Sequence, residues 1–294
     1  MQSKSDYKVI LLSNYFGRWP FWIDFFFESC RRNTNYTWII YTDCVIPDSV
    51  PNNIIFRPTS FEEYCHLVSK KLKINFRPSN PYKLCDIKPA LGYIHSDDLH
   101  ECDFWGYTDI DVIYGRLETF FTPEKMSKYD IISSGFRRVW GFLCLLRNSS
   151  EVKSLFKKVP DWKEKFEDCN HKAFDEKDFS DLFVKCKNFP SLLRKIINKF
   201  EGNARRVCFD EAWCNPDWKY GWIDGSTKYP KNWYWKNGIL TNDLNGDREF
   251  SYLHFIHWKA DEWRGISDCR SSLSLYKKNH SFWTINSKGI SISE

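Results

Sequence analysis

The chain has 294 residues, enough for one large α/β domain with embellishments or two small ones, and its 42% hydrophobic content excludes a disordered chain. Its net charge of +5, from 43 Lys and Arg against 38 Asp and Glu, is too mild to call for a nucleic-acid partner and suits an anionic small molecule or an anionic membrane surface. Eleven cysteines without a CxxC pair do not form a zinc module, and an odd count in so long a chain argues against a disulfide scaffold.

Met1 to Lys8 is polar, and the apolar run Val9 to Leu12 is too short for a signal peptide. No window approaches the roughly 18 apolar residues of a spanning helix. The expected setting is therefore a reducing cytosol with free thiols, at most peripheral on the inner membrane face. Lys8 to Asn14 (KVILLSN) reads as a buried parallel strand. Pro20 opens a helix that runs to Arg32, with cations at its end, where the helix dipole favours them. Tyr36 to Thr42 and Ile54 to Phe56 are two further strands. Ser60 with Glu63 forms a capping box for a helix to about Leu72. This order predicts an α/β sheet whose N-terminal half binds a nucleotide.

Pro81 to Leu99 reads as helical, capped by Asn80 and kinked or split at Pro89. Phe104 to Asp111 is a strand and its end; Asp130 to Ser134 and Trp140 to Leu146 are two more. Residues 149 to 200 are charged and helical in pattern. The last third is loop-rich and aromatic, with one clear strand, Phe250 to Trp258. No linker or repeat stands out, so the expectation is a single domain over residues 1–294. About 1–147 would form the nucleotide-binding half and about 148–294 the C-terminal half with its substrate lobe.

The feature with most chemical content is Asp109-Ile110-Asp111. Two carboxylates at the end of an apolar strand are costly to desolvate unless a positive charge neutralises them. At i and i+2 on a strand or its exit turn they project together, and a hard divalent cation carrying a diphosphate fits such a pair. They fall at the carboxyl end of a strand, where α/β sheets bind ligands. A solvated or capping pair of acids is the competing reading. Upstream, Lys83 and Asp86 share a helical face; they can meet phosphate and ribose, or form an exposed ion pair.

KLCDIKPALG followed by FWGYTDIDVIYG resembles the bacterial GT-A glycosyltransferases of polysaccharide biosynthesis. It is similar to the DxD sugar-binding and glycogenin-like families, in which a basic-x-x-Asp-x-x-basic helix precedes a strand ending in DxD. The start, KVILLSNYFGRWPFW, resembles their first strand and nucleotide-touching loop. The resemblance covers roughly residues 8 to 147 and implies a GT-A fold, a Rossmann-like mixed sheet flanked by helices, with a C-terminal aromatic-rich acceptor lobe. It implies that Asn14 and Tyr15 line the nucleotide pocket, that Asp86 and Lys88 contact the donor, and that Asp109 and Asp111 hold Mn²⁺ or Mg²⁺. Gly141 and Phe142, with Gly135, would sit against donor sugar and acceptor. Where such relatives read GGIYLDTD, this chain reads CDFWGYTDID, which leaves sugar and stereochemistry open.

In the similar families a late strand carries a metal-binding His followed by a Lys on the diphosphate. His254 and Lys259 match that order, at a shorter spacing. His254 and His257 would face opposite ways on a strand, so one at most binds the metal, His254 being preferred. Asp210 and Glu211 are candidates for the base that deprotonates the acceptor, for positioning it, or for a dipole-favoured helix start. Residues 190–206 (PSLLRKIINKFEGNARR) form a basic amphipathic pattern, suited to an anionic membrane or to packing on the core.

The expected reaction is hexosyl transfer from a nucleotide sugar, UDP-linked by preference, to a glycan or lipid-linked acceptor. The rivals are a nucleotidyl- or phosphotransferase, disfavoured by the lack of a P-loop or GxGxxG, and a carbohydrate-binding protein without catalysis.

Overall fold

A computed structural model of the chain describes residues 6–136, 138–184, 206–215, 221–266 and 282–292. The basic segment 190–206 lies outside the described residues, apart from Arg206. Eight strands and the helices around them carry the proposed chemistry: β1 (Val9–Tyr15), β2 (Tyr36–Thr42), β3 (Ile54–Pro58), β4 (Phe104–Thr108), β5 (Val112–Tyr114), β6 (Ile131–Ser133), β7 (Leu143–Arg147) and β8 (Val207–Phe209). Seven of them form one sheet in the order β3-β2-β1-β4-β7-β6-β8. All its neighbours pair parallel except β7, which runs against both β4 and β6. The fold is thus a mixed α/β sheet flanked by helices.

The alternation of β1 explains why it is central. Val9 and Leu11 enter the core on one face, with Phe26, Phe27 and Trp38. Leu12 enters the other, with Tyr64, Val68 and Trp105. A strand covered on both faces reads as a continuous apolar run, as this one does. Helix α1 (Ile23–Arg31) covers the first face and α2 (Phe61–Leu72) the second. The capping box of α2 forms as its sequence predicts: Ser60 Oγ accepts from Glu63 N and Glu63 accepts from Ser60 N. Asn80 caps the next segment by accepting from Tyr82 N. Pro89 lacks the amide a long α-helix needs, and Pro81–Ala90 winds as a 3₁₀-helix before a short α-helical turn, Leu91–Ile94.

The last third is richer in strands than its sequence suggested. Strands β9 (Asn232–Lys236), β10 (Ile239–Asn242), β11 (Gly246–Phe250), β13 (Phe282–Asn286) and β14 (Gly289–Ile292) form an antiparallel sheet in the order β11-β10-β9-β13-β14. The overlooked signal is Asn237-Gly238, both at positive φ (51° and 89°), a two-residue hairpin turn between β9 and β10. The expected strand Phe250–Trp258 is broken. Phe250 ends β11, Tyr252–His254 forms the separate strand β12, and the chain then turns into the short helix Ile256–Ala260. Strand β12 pairs with β5, and Trp235 Nε1 donates to Tyr114 O, so the C-terminal sheet is joined directly to the acidic turn's own strand. The two halves of the chain interleave, since β8 completes the large sheet.

The aromatic surplus goes largely into this junction. Trp233, Trp235 and Trp283 are fully buried, and Trp235 stacks on Trp283 with ring centroids 3.8 Å apart. Trp222, Trp258 and Trp263 are buried with them. The faces of Trp222, Trp233, Trp235, Trp263 and Trp283 are spent on one another and on Phe25, Phe250 and Phe255. Among the described residues no helix is long and apolar enough to cross a membrane.

Candidate functional site

The sheet brings five chain segments to one edge. The carboxyl ends of β1, β4, β6 and β8 lie there together with the start of the reversed β7, by the pairing directions above. These ends carry Asn14 and Tyr15, Asp109 to Asp111, Ser134 and Gly135, Asp210 and Glu211, and Gly141 and Phe142. In open α/β sheets this is the ligand-binding edge.

The acidic turn is held from several sides. Asp109 N donates to Phe142 O, Trp22 Nε1 donates to Ile110 O, and Phe255 N donates to Asp111 O. The two carboxylates differ. Asp109 is about one-third exposed and accepts from Lys88 Nζ at 2.6 Å, whereas Asp111 is 4% exposed and accepts from Lys259 Nζ at 2.7 Å. Burial alone would raise the Asp111 carboxyl, but the His254 ring, when it carries a second proton, and the Lys259 ammonium hold it far below the usual carboxylate range. Burial alone would lower the Lys88 ammonium; Asp109 and other neighbouring acidic groups outweigh it and keep Lys88 charged. Lys259 is raised by Asp111 in the same way, against its own desolvation.

His254 completes the cluster from β12. Its Nδ1 pairs with Asn215 Oδ1 at 2.8 Å. An amide oxygen only accepts, so in the neutral ring Nδ1 carries the proton and Nε2 the lone pair. That Nε2 is buried without a hydrogen-bond partner and lies 3.5 Å from Asp111 Oδ2, too far for a good hydrogen bond. One ligand atom each of Asp109, Asp111 and His254 lies within 4.8 Å of the other two. An imidazole with one nitrogen fixed by an amide oxygen and the other beside two carboxylates could hold a divalent cation. Asn215 is the residue sequence reasoning missed; nothing near it marks it, since its loop reaches β12 only in three dimensions.

Other expectations divide. His257, expected as an alternative ligand, sits on the exposed side of the helix Ile256–Ala260 and is outside the cluster, because the chain leaves its strand at Phe255. Lys83 and Asp86, expected at the donor, are wholly buried and bonded to each other at 2.8 Å. Lys83 Nζ also donates to the carbonyls of Lys165 and Asn170, and Asp86 accepts from Lys172 N and Phe174 N. Their hydrogen-bonding capacity is used to anchor residues 165–174, not to meet a ligand. The eclipsed i, i+3 spacing of a 3₁₀-helix puts them together.

Asn14 Nδ2 is buried at the end of β1 without a hydrogen-bond partner among the described residues. Tyr15 stacks on Trp19 at 5.4 Å and donates its hydroxyl proton to Arg18 O. The expectation that Gly141 leaves room for a sugar is corrected. A Cβ there would stand 2.4 Å from Asp175 Oδ2 and 3.2 Å from Glu176 Oε1, so side chains already fill that space. The Phe142 ring stacks on His254 at 4.1 Å and packs the histidine rather than facing outward. Asp210 turns away to Lys125 at 2.7 Å and is 55% exposed. Glu211 turns inward, accepting from Phe136 N and Trp213 N; burial raises its carboxyl above the ordinary value, partly offset by those two amides. The loop from β8 then continues through Cys214, whose carbonyl accepts from His254 N, linking Glu211 to the histidine.

Comparisons with known proteins are distant. No curated protein matches the chain. Among solved structures, it is similar to the galactosyltransferase LgtC in complex with donor and acceptor sugar analogues: 11% identity over 91% of this chain and 94% of that one, TM-score 0.43. Mouse xyloside xylosyltransferase 1 gives 9% identity over 85% and 97%, TM-score 0.39. The glycosyltransferase GlyE of Streptococcus pneumoniae TIGR4 gives 12% over 71% and 46%, TM-score 0.33. One family model matches residues 11–280, and by that match the chain belongs to DUF6625, a family of unknown function.

Proposed function

We propose that this chain is a metal-dependent GT-A glycosyltransferase. It moves a hexosyl group from a nucleoside diphosphate sugar, with UDP the favoured nucleotide, to a hydroxyl of a glycan or lipid-linked acceptor. The observation that carries the reading is His254 Nε2, buried without a hydrogen-bond partner among the described residues and facing Asp109 and Asp111 at the ligand-binding edge of the sheet. A carboxylate–carboxylate–imidazole set favours Mn²⁺, with Mg²⁺ the alternative. A cation bound by Asp109, Asp111 and His254 supplies Lewis-acid stabilisation of the leaving diphosphate.

The chain's own residues do the rest. Lys88 and Lys259 bring two ammonium groups to the same carboxylates and so to the position of the diphosphate oxygens. Lys259, two-fifths exposed on a short helix, is free to turn from Asp111 to phosphate. Asn14 Nδ2 offers an unused donor to the nucleotide. Glu211, with its raised carboxyl, is better placed than Asp210 to meet the acceptor hydroxyl. An open groove of about 760 Å³, lined by Lys228, Tyr229, Lys231, Asp243, Trp258 and Glu262, adjoins the helix of Lys259 and offers polar contacts to an acceptor.

Thermal unfolding with UDP or GDP, with and without Mn²⁺, tests the reading. Stabilisation that needs both nucleotide and metal, and that is lost in Asp111→Asn, is expected. Stabilisation by glycan alone, unchanged in Asp111→Asn, would mean a carbohydrate-binding protein instead.

A further inference from the structure

The turn Phe174–Asp178 holds a carboxyl with no assigned task. It is a single π-helical turn, entered through Ala173 at φ 55°, and such turns recur at functional sites. Phe174 is fully buried and fixes it to the core. Glu176 ties it to the start of β7: Oε1 accepts from Gly141 N at 3.1 Å, and Oε2 pairs with Arg138 at 3.5 Å. Asp175, between them, is 3% exposed and accepts no hydrogen bond from any described residue.

Its direction is set by Gly141, whose missing Cβ would lie 2.4 Å from Asp175 Oδ2. Gly141 precedes Phe142, whose carbonyl holds Asp109 N. The carboxyl therefore lies beside the start of β7, within electrostatic reach of Lys88 and Asp109. Burial raises it to about 8, and Lys88 opposes that rise. Burying a carboxyl without partners is costly, and buried polar groups almost always find one. Asp86 and His171 are close enough to suggest a second metal group with Asp175. Asp86 rules that out, because its oxygens already accept from Lys83 Nζ, Lys172 N and Phe174 N.

We infer that Asp175 is a specificity-determining residue of the donor site, where its carboxyl accepts hydroxyl groups of the sugar being transferred. The inference rests on the glycosyltransferase reading above. The partner that fits an idle, inward acceptor beside a diphosphate site is a neutral polyol ring attached to that diphosphate. Glu176 and Gly141 position the carboxyl, and Phe174 makes the turn rigid.

The test compares the full chain with Asp175→Ala and Asp175→Asn by calorimetric titration in Mn²⁺. The probes are UDP, GDP and their glucose, galactose and mannose conjugates. The wild-type chain should bind one conjugate more tightly than its bare nucleotide. Asp175→Ala should lower that conjugate's affinity about threefold to tenfold while changing the bare nucleotide less than twofold, as expected for one hydrogen bond to a carboxyl that burial keeps largely protonated at neutral pH. Asp175→Asn, which keeps the shape, should lose less, and carries the test if Asp175→Ala does not fold. Both variants should melt no lower than wild type, since an unpaired buried acid has been removed. Equal losses for conjugate and bare nucleotide, or no loss for either, would overturn the inference while leaving the glycosyltransferase reading intact. A wild-type chain that binds none of the probes would overturn both.

Discussion

Asn215→Ala is the sharpest probe of the metal cluster, because Asn215 touches neither carboxylate. Its Oδ1 fixes the Nδ1–H of His254 at 2.8 Å and so aims the Nε2 lone pair at Asp111. Without it the imidazole can take the other tautomer or turn toward a new acceptor, though its ring stays stacked on Phe142 at 4.1 Å. Removing the hydrogen-bond partner that orients a ligating imidazole lowers metal affinity about 10- to 100-fold, equivalent to about 1.4–2.7 kcal/mol. The apo protein should lose only about 0.5–1.5 kcal/mol for one hydrogen bond. The assay is calorimetric titration of Mn²⁺ in saturating UDP, with urea unfolding of the metal-free protein alongside. Mn²⁺ affinity within twofold of wild type would refute the assignment of His254 Nε2 as a ligand. So would a loss of metal binding fully accounted for by unfolding.

Three more outcomes follow from the same geometry. Lys83→Met strands the wholly buried Asp86 carboxylate and should cost about 3–5 kcal/mol of stability in urea unfolding; a loss under 1 kcal/mol with weakened nucleotide binding would restore the pair to the donor site. His95, stacked on Tyr41 and bonded to Tyr64 OH, is lowered by burial to about 3, so the unfolded chain binds the extra proton between that value and about 6.5. Its contribution is complete above pH 6.5 and falls by about 1.4 kcal/mol per unit below it, and urea unfolding of His95→Gln should lose that part of the slope between pH 6.5 and 5. Gly141→Ala places a methyl 2.4 Å from Asp175 Oδ2 and should cost about 1–3 kcal/mol, with a melting temperature equal to wild type as the contrary result.

Local chemistry in the sequence settled much of this protein. The apolar runs of β1 and β2, the Ser60–Glu63 capping box, the Asn80 cap and the break at Pro89 each follow from groups a few residues apart. The acidic pair was legible for the same reason: two carboxylates after an apolar strand need a partner wherever the chain goes. The Asn237-Gly238 turn was equally local and was passed over among the aromatics.

Only the tertiary structure decided which charged residues face the cluster and which serve the core. Lys83 and Lys88 stand five residues apart and look alike in sequence. One is sealed against Asp86 and two carbonyls, and the other reaches Asp109. His254 and His257 part because the chain bends into a helix at Phe255, and Asn215 reaches His254 from 39 residues away while Asp175 reaches Gly141 from 34. Contacts between distant segments depend on sheet order and burial, and a residue's sequence neighbours do not encode them. The sequence by itself determined the strands and the paired acids; packing around the reversed β7 decided which side chains surround them.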